Sequence, residues 1–283
     1  MRLAGKSWVS VVGVMLAASA SRLVAEDAKL IVQQAVNSQL AADRDDHTHW
    51  RYTRIDDGKD RVVVVETENG AISRHVEVNG KPAAATVLAE DDATNQKFIH
   101  DPGAQQKQRQ NGQHDDKSAI ELLNLMPEAF VWKVDSESPE LTTLSYKPNP
   151  AFNPPDMEAR VMGAMSGTLT VANPGHRIKT FKGRLMNDVT IGFGLLARIK
   201  AGSTFDIERR EVAPGYWQIA ETHVHIGGHA LFFKTIGTQE DQVKTDFSLV
   251  PLGTTLEQGV EMLKDPTCCG LRQQRGTSGH GML

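Results

Sequence analysis

The stretch "ETHVHIGGHALFFK", residues 221–234, sets Glu221, His223, His225 and His229 close together. Imidazoles and carboxylates are the side chains zinc takes, so metal chemistry would be sought here first. On a strand, alternate side chains share a face, which aligns Glu221, His223 and His225 as three candidate ligands of a metal-dependent hydrolase. His229 leaves that group if Gly227-Gly228 is a two-residue hairpin turn. Ile226 then pairs with His229, Val224 with Leu231 and Thr222 with Phe233. The other face pairs His225 with Ala230, His223 with Phe232 and Glu221 with Lys234, the last an ordinary opposite-charge contact between strands. Zinc sites need three or four well-aimed ligands, so the spacing favours a hairpin carrying histidines over a metal centre.

The other polar groupings point to structure rather than chemistry. Asp45-Asp46, Asp91-Asp92 and Asp115-Asp116 lie in polar stretches, where caps and solvated loops account for acidic pairs. "DIERRE" mixes charges as an exposed strand face does. "GFGLLARIKAG" lacks the glycine spacing of a phosphate or dinucleotide loop, and no Gly-x-Ser-x-Gly elbow occurs. Cys268 and Cys269 are adjacent, a spacing that rarely closes a comfortable disulfide.

The N-terminal segment makes the chain read as an exported protein. Arg2 and Lys6 precede the apolar run "SWVSVVGVMLAASA", and small residues allow cleavage after Ala20 or Ala25. Residues 1–25 therefore have the layout of a secretory signal peptide, and a periplasmic location follows as the expectation. Without Arg2, Lys6 and Arg22 the remainder carries 28 basic against 35 acidic residues, a net charge of −7. Such a surface does not collect nucleic acid. No later segment has the length of a membrane-spanning helix, so no integral span is expected after cleavage.

The elements follow from period and punctuation. Residues 26–43 show a helical stripe of Leu30, Ile31, Val32, Ala35, Val36 and Leu40, with acids at the positive end of the helix dipole. "HWRYTRI", "RVVVVETE" and "AISRHVEVN" read as three strands, with a primed turn at Asn69-Gly70 and a stop at Asn79-Gly80. Residues 89–117 are polar and read as a mobile excursion or a solvated helical flap. Asp115 or Asp116 would then cap a short helix that buries Ile120, Leu122, Leu123, Leu125 and Met126. Beyond it the chain is β-rich. "LTTLSYKP" is a strand, and Pro155 is placed to start one or two helical turns. Two strands flank Asn173-Pro174-Gly175, and "NDVTIGFG" is a further strand. "LLARIKAG" either extends that strand or forms a helical turn closed by Gly202, and the turn is favoured. "STFDIERREV", "YWQIAETHVHI", "HALFFKTI" and "DQVKTDFSLVP" complete a meander. Short connections make the sheet antiparallel. Residues 26–252 show no break that forces a domain boundary, and 253–283 read as a helical turn and a disordered tail.

Few helices must cover a wide sheet rich in apolar side chains. Either the interior is filled, or it keeps a greasy hollow lined by residues such as Phe193, Phe205, Ile207, Val224, Ile226, Leu231 and Phe233. The segments "PNPAFNPP", "GTLTV…GHRI", "FKGRL", "GFGLL" and "VAPGYWQI" resemble those of exported bacterial proteins related to the periplasmic carriers of outer-membrane lipoproteins (LolA-like and LppX-like). That resemblance implies an α+β fold in which a curved antiparallel sheet forms an incomplete β-barrel covered by a few helices. It also implies non-catalytic binding of an acyl chain, lipid or lipoprotein moiety, with no cofactor and no metal. Two alternatives stand beside it: an envelope interaction or sensor domain with a filled core and a protein partner, and a metal-dependent hydrolase using Glu221, His223 and His225.

Overall fold

The computed structural model describes residues 12–191, 197–230 and 234–265. Its architecture is α+β. Among the described residues every strand pairing is antiparallel, no barrel closes, and five helices accompany the strands. Contacts divide the chain into two compact units, Met1–Asp46 with His114–Asp241, and His47–Gln113 with Gln242–Leu283.

The first unit begins with α1, Val12–Asp45. Ala28, Val32, Ala35, Val36 and Gln39 are fully or nearly buried, spaced three and four apart as one helical face must be. Leu30 is off this face and half exposed, at 51%. With residues 12–25 attached, Glu26 and Asp27 lie inside the helix. The strands are β5 (Phe130–Glu137), β6 (Leu141–Pro148), β7 (Met165–Ala172), β8 (Arg177–Leu185), β11 (Thr204–Ala213) and β12 (Tyr216–Ala230), and they neighbour one another in that order. The short strands β9 (Val189–Ile191) and β10 (Ala197–Ile199) pair with each other, and β10 pairs with the end of β12. A helix of two turns, α4 (Met157–Gly163), precedes β7 and is capped by Asp156, whose Oδ1 accepts from Ala159 N at 2.8 Å.

Two of the expected turns in this unit are strands instead. In the described part of "LLARIKAG", Ala197–Ile199 form strand β10 rather than the favoured helical turn. Gly227-Gly228 is not a hairpin turn either, because β12 runs through it to Ala230. The reason lies at Gly228, opposite Ile199: a Cβ there would sit 2.5 Å from the Arg198 carbonyl oxygen. The glycine admits a neighbouring backbone rather than bending its own. The expected pairing of Glu221 with Lys234 is therefore lost, and Glu221 faces Glu208. Likewise Lys234–Ile236, the end of "HALFFKTI", and "DQVKTDFSLVP" up to Val250 belong to one continuous strand, β13 (Lys234–Val250).

The core of the first unit is aromatic. Phe130, Trp132, Tyr146, Phe181 and Phe205 make successive ring contacts with centroids 4.4–5.5 Å apart. Tyr146, Gly167, Gly183 and Phe205 occupy one row across β6, β7, β8 and β11. The two glycines leave the row bare, and the flanking rings fold over them. Tyr146 Oη donates to the Lys182 carbonyl at 2.9 Å across the gap.

The second unit orders its strands β4 (Lys81–Pro82), β3 (Gly70–Val78), β2 (Asp60–Thr67), β1 (His49–Asp56) and the end of β13. Val63, Val65, Ile72 and Val250 are buried against Leu256, Val260 and Leu263 of α5 (Leu256–Lys264). Residues 256–264 form α5, and the tail from 266 lies outside the described residues. Thr67 pairs with Gly70, so the β2–β3 turn centres on Glu68-Asn69, one residue earlier than its Asn-Gly signal. Left-handed backbone appears at Asn79 and Gly80 instead, which close the β3–β4 hairpin.

Of the two alternatives for residues 89–117, the helical one matches the structure. They belong to α2 (Ala85–Ile99) and α3 (Pro102–Ala129), which crosses from the second unit into the first. Asp101 caps α3, accepting from Ala104 N at 2.9 Å, with Pro102 as the first helical residue. Asp115 and Asp116 are thus mid-helix and cap nothing, and Ile120 is exposed at 45%. Polar side chains of both helices hold β3. Asp91 accepts from His75 N at 2.8 Å, Asn95 donates to Ser73 O at 2.9 Å, and the Gln108 amide brackets the Ala71 backbone at 2.7 and 3.1 Å. A polar sequence is compatible with order when its side chains satisfy backbone groups.

Candidate functional site

Strand alternation sends Phe205, Ile207 and Arg209 to one face of β11 and Asp206 and Glu208 to the other, while Thr204 at the strand's start borders both sides. The first face borders an apolar cavity of about 490 Å³ within the first unit. Met126, Leu122 and Leu123 of α3 enclose it, together with Met157, Val161 and Met162 of α4. Met165, Ile178, Phe181, Ile199, Ile219 and Ile226 extend the greasy wall. Of the residues expected to line a hollow, Phe205, Ile207 and Ile226 do so. Val224 is opposite Phe205 in register and half-buried, but it is not part of the lining. Phe193, Leu231 and Phe233 lie outside the described residues.

Polar atoms at this wall are few. Gln39, on the buried face of α1, is wholly inaccessible to solvent. Its Nε2 donates to Asp43 Oδ1 at 2.6 Å, and its Oε1 is buried without a partner. A carboxylate only accepts, so this contact fixes which end of the amide is which. Arg209 Nη1 reaches the same Asp43 oxygen at 3.4 Å. Arg177 stands nearby over the Trp217 ring, 6.0 Å from its centroid, and burial lowers its guanidinium affinity for protons. A buried acceptor left unpaired costs about 1–3 kcal/mol, so Gln39 Oε1 is an expense that an apolar side chain would avoid.

The opposite face carries the histidines. His223 Nδ1 lies 2.8 Å from Asp241 Oδ1, and His225 Nε2 lies 2.9 Å from both oxygens of that carboxylate. Glu221 stands 3.6 Å from His223 Nε2 and binds Arg210, which also holds Glu208 at 2.8 Å. The Asp241 hydrogen bond, aided by Glu221, raises the His223 pKa above the ordinary imidazole value. The two imidazoles hold the Asp241 carboxyl down to about 2. Strand alternation thus aligned Glu221, His223 and His225, while Asp241, the residue that bridges the rings, had no signal in the sequence. The ring nitrogens face carboxylates rather than a shared vacant point. Among the described residues no group of three or more His, Cys, Asp or Glu has an arrangement that could hold a metal ion. The side chain of His229 is outside the described residues. "DIERRE" is a laced face as expected, with Lys182 bound to Asp206 at 2.8 Å, except that Arg209 turns inward.

Sequence reasoning missed Gln39 and the walls from α3 and α4. A signal existed for each: Gln39 falls in register with Ala28, Val32, Ala35 and Val36, a polar side chain on an apolar stripe. Ala119, Leu122, Leu123 and Met126 repeat at three and four. No helix among the described residues is long and apolar enough to cross a membrane. No family model, curated protein or solved structure matches the chain.

Proposed function

We propose that this protein is a non-catalytic carrier or receptor for a hydrophobic ligand, an acyl chain, lipid or lipoprotein moiety, held in the cavity of the first unit. The reading takes the chain as periplasmic and its fold as the half-barrel type of the LolA-like carriers. The observation that carries it is the wall of the cavity, made mainly of Met, Leu, Ile, Val and Phe from the sheet, α3 and α4, with Gln39, Glu158, Thr204 and Arg209 as its polar residues. A volume near 490 Å³ is within the range of small-molecule sites.

Apolar burial supplies about 0.8 kcal/mol per methylene, so a dozen buried methylenes supply on the order of 10 kcal/mol before binding costs. Association costs about 4–15 kcal/mol, which leaves an unanchored chain with weak affinity. Exchangeable loading is what a carrier requires.

Native mass spectrometry and lipid extraction on protein purified from its own envelope fraction test the proposal. A bound apolar species of defined mass is expected. Reproducibly empty protein that also ignores a fluorescent fatty-acyl probe would overturn it.

A further inference from the structure

We infer that the cavity selects a neutral ligand whose polar end donates a hydrogen bond, a hydroxyl or amide N–H, to Gln39 Oε1. This rests on the hydrophobic-ligand reading and narrows it to one chemical class. Gln39 lines the cavity and is wholly buried, and its amide oxygen has no partner. Its nitrogen is committed to Asp43 at 2.6 Å, so the side chain presents an acceptor, not a donor.

The charges nearby decide against a carboxylate. Arg209 is the one cation among the lining residues, and it already faces Asp43 at 3.4 Å. Glu158 adds a negative charge to the wall. Arg177 has a buried Nε without a partner, yet it is not part of the lining and does not offer that donor to the cavity. An incoming carboxylate would meet a lone pair on Gln39 with the Asp43 carboxylate beside it. A hydroxyl or amide N–H would satisfy Gln39 Oε1 and leave the Arg209–Asp43 pair intact.

The test uses three probes of one chain length, dodecanol, methyl dodecyl ether and dodecanoate, each displacing a fluorescent apolar dye from the full-length protein. Dodecanol is expected to bind about tenfold tighter than the ether, the worth of one buried hydrogen bond to a previously unpaired acceptor. Dodecanoate is expected to bind no better than the ether. In Gln39→Met the ratio of alcohol to ether falls to about one. Equal affinities for alcohol and ether in the unaltered protein, or a preference for dodecanoate, overturn this inference and leave the hydrophobic-ligand reading standing. If none of the three binds, both fall. The comparison within the unaltered protein decides the matter even where Gln39→Met does not fold.

Discussion

His223 and His225 clasp one carboxylate, that of Asp241, at 2.8 and 2.9 Å. The raised His223 pKa stabilises the fold in full below the ordinary imidazole value of 6.5 and is lost as pH rises through the raised folded value. The lowered Asp241 pKa acts in the other direction, present above 3.8 and lost as pH falls toward about 2. Glu221 faces the His223 ring at 3.6 Å and is itself held by Arg210, which also binds Glu208. Asp241→Asn should therefore lower the melting temperature most between about pH 4 and 6.5, with the gap narrowing by about pH 9. The groups are largely solvated, so added salt should shrink the gap too. Thermal unfolding across that pH range checks it, and a gap that does not change with pH would sink the idea.

Gly183 and Gly167 should resist even a methyl group. A Cβ on Gly183 would lie 2.3 Å from a Phe205 ring carbon and 2.6 Å from Tyr146 Oη. Gly183→Ala is expected to destabilise by about 1–3 kcal/mol through overpacking. Gly112→Ala, on an open helical surface with nothing within 4 Å of the new Cβ, should be neutral or stabilising. Denaturant midpoints of the two variants compare them directly.

Arg51 is 1% exposed, and its guanidinium donates to the carbonyls of Met262 at 3.0 Å and Asp265 at 3.1 Å, closing the C-terminal end of α5. Arg51→Met should cost about 1.5–3 kcal/mol by leaving those carbonyls unpaired. Hydrogen exchange should show protection lost first in residues 256–264. Unchanged protection there would show that the capping box of Thr255 and Gln258 suffices to hold the helix.

Filling the cavity should abolish binding without unfolding the chain. Val161 on α4 lines the hollow and is half-buried, so Val161→Trp places an indole where the ligand would lie. Affinity for a fluorescent fatty-acyl probe should fall at least about tenfold, while circular dichroism stays that of the unaltered protein. Full binding by a folded Val161→Trp would place the ligand elsewhere.

Wherever pattern and punctuation were local, the sequence was legible. "LTTLSYKP" coincides with β6 residue for residue, and the strands around Asn173-Pro174-Gly175 fall where alternation puts them. The Asp101-Pro102 pair carried a readable helix start that the polar composition after it obscured. Gly227-Gly228 has the chemistry of a turn and the geometry of a strand, because a close backbone at Arg198, far away in the chain, takes the space of a Cβ.

From the sequence alone one obtains the alternating faces of β11 and β12, and with them Phe205, Ile207 and Ile226 as apolar wall and Glu221, His223 and His225 as a polar row. Only the tertiary structure decides that Asp241 joins the two imidazoles and that Gln39 is sealed against the apolar wall with one oxygen unpaired. Side-chain direction along a strand depends on neighbours two residues apart. Whether a buried polar atom finds a partner depends on segments more than a hundred residues away, which no local pattern records.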